Sequence, residues 1–360
     1  MRADDLNMAA VILAGGIGAR FWPLSTAEKP KQFLELFGDR SLIRITYDRI
    51  SGLVPDERIV VVTSDAFVDR VREQLPELPE ANVIGEPRRR DTAAAACLGA
   101  LLCRNRFDDP VIATLTADHM IEPEGIFHQT LESAARHARR DGRLYTIGIP
   151  PDHPATGYGY LEVGEEVLND DGVRHFELVR FKEKPDLTTA RECIASGRCL
   201  WNSGMFVWTA EAILAEAAVH LPALYRALSE AAALDRTPRW KAALKKAFES
   251  IEPVSIDYGV MEKAVAVRCV AAEFAWTDVG GWTALDGYFP ADETGNRGRG
   301  RVLARDASGN LVFCEDSGDT VMMVGVDDLI VVRSGDKTLI VHKDRTEEVK
   351  SLVEAMDRDD

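Results

Sequence analysis

An apolar run, Met8-Ala9-Ala10-Val11-Ile12, leads directly into Leu13-Ala14-Gly15-Gly16-Ile17-Gly18-Ala19-Arg20. A buried strand that empties into glycines restricts the fold more than any other feature of the chain. Glycines at 15, 16 and 18 let the backbone turn sharply and bring bare N–H groups close to a ligand. Arg20, and then Lys31 in Pro30-Lys31-Gln32-Phe33, set two cations just past the turn. A loop with these parts suits a polyphosphate; a tight turn holding nothing is the plainer alternative. No third glycine follows Gly18 at the dinucleotide-fingerprint spacing, and no Gly-Lys-Ser/Thr follows, so neither familiar phosphate loop is present. A nicotinamide oxidoreductase is thereby excluded.

The strand is the first of several. Ala10–Leu13, Arg58–Thr63, Asn82–Gly85, Val111–Thr116 and Leu144–Ile149 read as strands. Between them Ser41–Ser51, Ser64–Gln74, Thr92–Arg104 and Glu124–Arg140 read as helices. Such alternation implies an α/β fold with a mostly parallel sheet covered on both faces. Further on come a hairpin-like region, Gly157–Phe181, and a mostly helical one, Glu211–Glu249. The Gly- and Pro-containing stretch Phe289–Gly300 reads as a linker, dividing the chain into domains 1–290 and 291–360. Beyond it, short β-rich segments over Val302–Val341 have the spacing of a small β-roll or β-helix, closed by a helix at Arg345–Met356. No long internal repeat is expected.

A net charge of −16 argues against nucleic acid or an anionic membrane as partner, yet Arg20, Lys29 and Lys31 concentrate positive charge locally. No apolar run approaches the roughly 18 residues that span a bilayer, and the acidic start Met1-Arg2-Ala3-Asp4-Asp5 lacks a signal-peptide core, so a cytoplasmic location is expected. The 6 cysteines form no Cys-x-x-Cys pair and are expected to be small buried hydrophobes rather than disulfides or zinc ligands.

Other residues could bind ligands. Asp118, at the end of Val111–Thr116, lies where α/β sheets hold ligands. Its carboxylate suits a hard divalent cation, or caps the next turn. Asp278, in Trp276-Thr277-Asp278-Val279-Gly280-Gly281, would share Mg²⁺ with it if the two meet. His119 reads as a hydrogen-bonded strand-end histidine. Glu183 and Lys184 precede Pro185, which biases Lys184 towards an extended backbone. They suit sugar hydroxyls and a phosphate, or form a solvated loop. Gly159, in Gly157-Tyr158-Gly159-Tyr160, permits close backbone approach or marks a bend. Asn202 is an amide in an apolar strand, either structural or a hydroxyl reader. Glu86-Pro87-Arg88-Arg89-Arg90-Asp91-Thr92 opens a helix that Asp91 would cap, and the turn could also read a nucleobase edge.

Taken in order, Gly15–Arg20, Trp22-Pro23, Pro30–Phe33, Glu86-Pro87, Ala117-Asp118-His119, Phe181–Pro185, Asn202–Phe206, Ser255–Lys263 and Asp278-Val279-Gly280 resemble the sugar-1-phosphate nucleotidyltransferases. Within them the chain is similar to the mannose-1-phosphate guanylyltransferases, over roughly residues 8–290. It departs from the family pattern at Arg89-Arg90-Asp91-Thr92-Ala93-Ala94, where Gly-Arg-Asn-Thr-Ala-Pro is common, and at Gly281, where Ser is common. The isomerase domain appended to some larger relatives is not expected within these 360 residues.

The resemblance implies a Rossmann-like mixed sheet of the nucleotide-diphospho-sugar transferase type. It implies Mg²⁺-dependent, in-line transfer from GTP to mannose 1-phosphate without a covalent intermediate, giving GDP-mannose and pyrophosphate. Arg20, Lys31 and Lys184 would be catalytic. Ala14, Gly15, Gly16, Gly18, Glu86, Asp91 and Thr92 would hold the nucleotide. Gly159, Glu183, Lys184 and Asn202 would hold the sugar phosphate, and Asp118 and Asp278 the metal. A homodimer or higher homo-oligomer is expected. The alternatives are the same chemistry on another sugar 1-phosphate or nucleotide, and a non-catalytic regulatory subunit that binds a nucleotide sugar.

Overall fold

A computed structural model describes residues 6–16 and 18–359, with side chains as far as 356. The N-terminal Met1–Asp5 and Ile17 of the glycine loop, both used in the sequence reading, lie outside the described residues. Packing divides the chain into two compact units. One comprises the chain up to Gly15, Thr46–Ala117 and Ile121–Trp276; the other comprises Gly16–Ile45, Asp118–Met120 and Thr277 onward.

The first unit is built on a nine-stranded sheet. Its strands are β1 (Met8–Ala14), β2 (Ile59–Ser64), β3 (Val83–Glu86), β4 (Val111–Thr116), β6 (Leu144–Ile149), β7 (Tyr160–Asp170), β8 (Val173–Lys182), β9 (Cys199–Thr209) and β10 (Val267–Ala271). The short strands β5 (Met120–Glu122) and β11 (Ala275–Thr277) are not part of it. The order is β3-β2-β1-β4-β9-β6-β10-β8-β7. β3, β2, β1 and β4 run parallel, and β9 enters antiparallel to β4. Helices cover both faces, because both sets of alternate strand positions are apolar. Ala9, Val11, Val60, Val62 and Ile112 share a core with α3 (Asp91–Arg106), α6 (Ala210–His220), α7 (Pro222–Ala232) and α8 (Trp240–Ser250). The alternate residues Ala10, Ile12, Val61 and Ala113 are equally buried, and α4 (Glu124–Asp141) packs along β4, β6 and β9. The alanine-rich helix α3 lies close on the sheet. A Cβ at Gly99 would stand 2.5 Å from Val11 Cγ1. The remaining helices are α1 (Leu42–Ser51), α2 (Val68–Gln74), α5 (Leu187–Ala195) and α9 (Glu348–Asp359).

The second unit stacks β-helix coils. Strands β12 (Arg297–Arg299), β14 (Leu311–Cys314) and β16 (Leu329–Ser334) pair in parallel, with β17 (Lys337–His342) antiparallel at the edge, while β13 (Arg301–Arg305) pairs with β15 (Thr320–Val324). The stacked coils agree with the β-roll or β-helix expected from the strand spacing. Gly295, Gly309 and Asp328 each turn the chain with φ of 79°, 65° and 52°. Behind the two glycines, Asn296 and Asn310 form a buried ladder: Asn310 Nδ2 donates to Asn296 Oδ1 at 2.9 Å, and Asn310 Oδ1 accepts from Leu329 N–H at 2.8 Å. Leu311, Phe313, Ile330, Val332 and Leu339 from these coils form one core with Phe21, Leu24, Leu34, Leu36, Val279 and Trp282. The C-terminal coils thus supply much of the core under the loop that bears Arg20 and Lys31.

The cysteine expectation holds for Cys97, Cys103, Cys269 and Cys314, which are buried and free. It fails for Cys193 and Cys199, which form a disulfide. The Ser196-Gly197-Arg198 turn brings the end of α5 beside the start of β9, at a Cα separation of 5.6 Å that suits the bond.

Candidate active site

Lys31 is the centre of the second unit's polar groups. It begins a 3₁₀ turn, Lys31–Phe33, and its side chain is only 8% exposed. Its Nζ lies 2.9 Å from Asp118 Oδ2 and donates to the Asp278 backbone oxygen at 2.6 Å. Asp118 and Asp278 therefore do meet around a single ammonium, Asp118 by its side chain and Asp278 by its carbonyl. The Asp278 carboxylate accepts from Gly280 N–H at 2.9 Å, which closes its own turn. Burial opposes the Asp118 charge, but Lys31 and His119 outweigh it and hold the carboxyl below the usual range. The nearest approach of His119 Nε2 to Asp118 Oδ1 is 4.0 Å.

The glycines have separate uses. Gly18 adopts φ 72°, and a Cβ there would overlap Lys31 Cβ. Gly15 and Gly16 are exposed, and among the described residues no atom beyond their chain neighbours lies within 4 Å of where their Cβ would stand. Gly18→Ala is expected to destabilise the chain by about 2 kcal/mol or more, through left-handed strain and the overlap. Urea unfolding of the variant measures this, and wild-type stability would remove the packing role.

The other cations of the loop are already paired. Arg20 Nε donates to Glu347 Oε2 at 2.8 Å, ahead of α9. Lys29 Nζ reaches Glu315 Oε1 at 2.9 Å, and Ser334 Oγ donates to the other oxygen of that carboxylate. Lys29 therefore fastens the loop to β14–β16 rather than adding free positive charge.

The first unit carries a second cluster at the end of β8. Glu183 is buried and Lys184 Nζ donates to its Oε1 at 2.7 Å. Its Oε2 has no hydrogen-bond partner among the described residues. A Cβ at Gly159 would run into that same Oε2 and stand 3.2 Å from Asn202 Cβ, so Gly159, Glu183 and Asn202 converge. Asn202 N–H donates to Gly159 O at 2.8 Å. Asn202 Oδ1 accepts from Thr146 Oγ1 at 3.1 Å, and Nδ2 donates to Asp257 Oδ1 at 2.9 Å. Lys184 is not extended, as Pro185 led one to expect, but left-handed at φ 45°. Its ion pair to Glu183, and the bond from Glu183 N–H to Glu262 Oε1 at 2.8 Å, hold it there. Burial opposes the Lys184 charge, but the bond to Glu183 more than restores it, so the ammonium titrates above its usual range. Sequence reasoning gave Asp257 and Glu262 no role. Only the motif Ser255–Lys263 marked them.

The third group lies after β3. Glu86 is 7% exposed, and its Oε1 has no partner among the described residues. Burial pushes its carboxyl up to about 8, with Arg89 opposing and Asp91 adding to the shift. Asp91 does not cap α3 from an extended backbone. It sits at φ 63°, and its Oδ1 accepts from the adjacent Thr92 N–H at 2.7 Å. Thr92 Oγ1 instead accepts from Ile256 N–H at 2.9 Å. Arg90 is structural, donating to Phe248 O at 2.8 Å, while Arg88 and Arg89 are exposed. Ala14 O accepts from Thr63 Oγ1 at 2.9 Å, which fixes the end of β1.

The Glu86 shift sets a pH dependence. The folded chain keeps this proton to about pH 8, whereas an unfolded glutamate releases it near 4.5. The contribution to stability is therefore complete below pH 4.5 and is lost as pH rises towards 8. Glu86→Gln is expected to abolish that loss, leaving the variant on the order of a few kcal/mol more stable relative to wild type at pH 8 than at pH 5. Denaturation at both pH values checks it, and parallel curves would contradict it.

The second unit thus carries a cation against oxygen groups at Lys31, and the first unit carries, each by itself, the Glu183–Lys184 cluster and the buried Glu86. The nucleotidyl transferase family profile matches residues 9–294, and the profile of the mannose-phosphate isomerase/GMP-like β-helix domain matches residues 300–356. A mannose-1-phosphate guanylyltransferase of Klebsiella pneumoniae is 38% identical over 352 residues, covering 96% of this chain and 73% of the relative. One from Escherichia coli is also 38% identical over 352 residues, with the same 96% and 73% coverage. A crystal structure from Thermus thermophilus, described as a mannose-1-phosphate geranyltransferase, superposes with TM-score 0.87 at 32% identity, covering 98% of this chain and 99% of that one. The chain belongs to the nucleotidyl transferase family and, within it, to the mannose-1-phosphate guanylyltransferases.

Proposed function

We propose that this chain transfers the guanylyl group of GTP to mannose 1-phosphate, releasing pyrophosphate and GDP-mannose. The observation that carries the reading is the Lys31 ammonium held against Asp118 and the Asp278 carbonyl. A sugar phosphate oxygen attacks the α-phosphorus in line, and pyrophosphate leaves. The attacking group is already an anion, so no general base is required. The demand is to hold two anions together and to neutralise the charge growing on the leaving group. Gly15, Gly16 and Gly18, with Ala14, present the backbone to the triphosphate. Lys31 neutralises it, as does Arg20 once it exchanges Glu347 for phosphate oxygens. Lys184 neutralises the incoming phosphate, and Glu183, Asn202 and Gly159 orient the sugar. Glu86, with Asp91 and Thr92, reads the base; its unpartnered oxygen offers an acceptor to an N–H of guanine.

Mg²⁺ takes hard oxygen ligands and ordinarily keeps waters and phosphate oxygens beside one or two carboxylates. Asp118, which Lys31 keeps ionised, and Asp278 would supply the carboxylates of that pattern. When bound, the ion neutralises phosphate charge. We further propose that residues 1–290 form the catalytic part and 291–360 a supporting and self-associating part, giving a homodimer or higher homo-oligomer. We place the reaction in the cytoplasm. No helix among the described residues is long and apolar enough to cross a membrane.

The test is pyrophosphate release with mannose 1-phosphate and each of GTP, ATP, UTP and dTTP, with and without Mg²⁺. Release with GTP and Mg²⁺ well above the others is expected. Release with another nucleotide instead would reassign the base, and nucleotide-sugar binding without any release would favour a regulatory subunit.

A further inference from the structure

Asp257 opens a π-helical segment, Asp257–Met261, an uncommon winding that is frequent at functional sites. The segment is tied to both ligand-reading regions of its unit. Ile256 N–H donates to Thr92 Oγ1 at 2.9 Å, and Ala93 N–H to Val254 O at 3.2 Å. Glu262, just past the segment, accepts from Glu183 N–H at 2.8 Å. Asp257 Oδ1 accepts a hydrogen bond from Asn202 Nδ2, while Thr146 Oγ1 and Gly204 N–H bond the opposite end of the same amide at 3.1 and 3.2 Å. The amide orientation is thereby fixed, with one of its two N–H groups committed to Asp257. Next to it lies the Glu183 Oε2 that lacks a partner.

We propose that Asp257 is a positioning residue for the sugar phosphate: it sets the Asn202 amide and lends its remaining lone pairs, beside Glu183, to hydroxyls of the bound sugar. An ionised carboxylate offers about four acceptor positions, so holding Asn202 leaves capacity for a ligand. This rests on the sugar-phosphate reading given above. The titratable groups around Asp257 are Glu183 and Lys184 on the β8 loop, and Tyr258 and Glu262 on its own segment. Burial and then the Glu183 charge push its carboxyl up to about 6, so it changes charge within a range that assays can reach. A merely structural Asp257 would join the segment to β9, and its replacement would disturb both substrates alike.

The experiment compares Asp257→Asn with wild type in the Michaelis constant for mannose 1-phosphate from pH 5 to 8, at saturating GTP and Mg²⁺. A phosphate monoester itself loses its second proton near pH 6, in both proteins, so the variant-to-wild-type ratio is the quantity read. The ratio is expected near 1 at pH 5, where a protonated Asp257 resembles the amide, and to reach about tenfold by pH 7.5, on the order of 1.4 kcal/mol. Turnover number and the constant for GTP should stay within a few-fold. Thr146→Val, which frees the other end of the amide and leaves Asp257 in place, should raise the same constant equally at every pH. A flat ratio, or equal rises for both substrates, overturns the proposal. A wild type that turns over with a flat ratio overturns this proposal alone; a wild type with no turnover overturns the activity as well.

Discussion

Lys31→Ala is expected to lower turnover by about 10²–10³-fold or more, with the fold preserved. The ammonium is buried against two oxygen groups, Asp118 and the Asp278 carbonyl, and under the proposed function it is the cation that compensates the triphosphate there. In a site shielded from water, one missing charge is poorly replaced by solvent, so the cost appears in the transition state as negative charge moves to the leaving pyrophosphate. The fold should survive because alanine keeps the Cβ that packs on Gly18, and the surrounding core of Phe21, Leu34 and Trp282 is unchanged. Asp118 loses the cation that holds its carboxyl low, so its ionisation should move up. Steady-state kinetics with a thermal melt checks both parts. Wild-type turnover would remove Lys31 from the mechanism.

Asp118→Asn and Asp278→Asn are each expected to raise the Mg²⁺ concentration for half-maximal rate by about tenfold or more, since under the proposed function each would remove one hard anionic ligand. The backbone frame should persist. In Asp278→Asn the new amide keeps an oxygen for Gly280 N–H, and Lys31 keeps the backbone carbonyl at that position. The double variant should cost less than the sum of the singles, because residues sharing one ligand do not act independently. Mg²⁺ titrations of the initial rate measure this. Unchanged titrations in both single variants would refute shared coordination.

Much of the first half of the chain was legible in its residues. The parallel strands β1–β4 are short, apolar on both faces and separated by amphipathic or alanine-rich runs, so period and length point the same way. Leu144–Ile149 and Val111–Thr116 match the structure residue for residue. The glycine loop was legible because Gly18 needs a left-handed backbone and sits against Lys31. What escaped depends on distant partners. That Lys29 serves Glu315 and that Arg20 rests on Glu347 could not be read from a count of local charge. The left-handed Lys184 went against a local rule because its ion pair to the buried Glu183 outweighs the restriction imposed by Pro185. The coil repeat was present as Gly295-Asn296 and Gly309-Asn310, two pairs 14 residues apart, but the unequal spacing to Asp328 hid the period. Asp257 left only a motif, because its role depends on Asn202 being turned by Thr146.

Under the proposed function this chain joins two anions by positioning and charge, with no enzyme group ever bonded to phosphorus. The stereochemical course at the α-phosphorus tests it most directly, using GTP made chiral there by one sulfur in place of oxygen. A single in-line displacement predicts inverted configuration in the nucleotide sugar. Retention would mean two displacements through a covalent intermediate and would contradict the account.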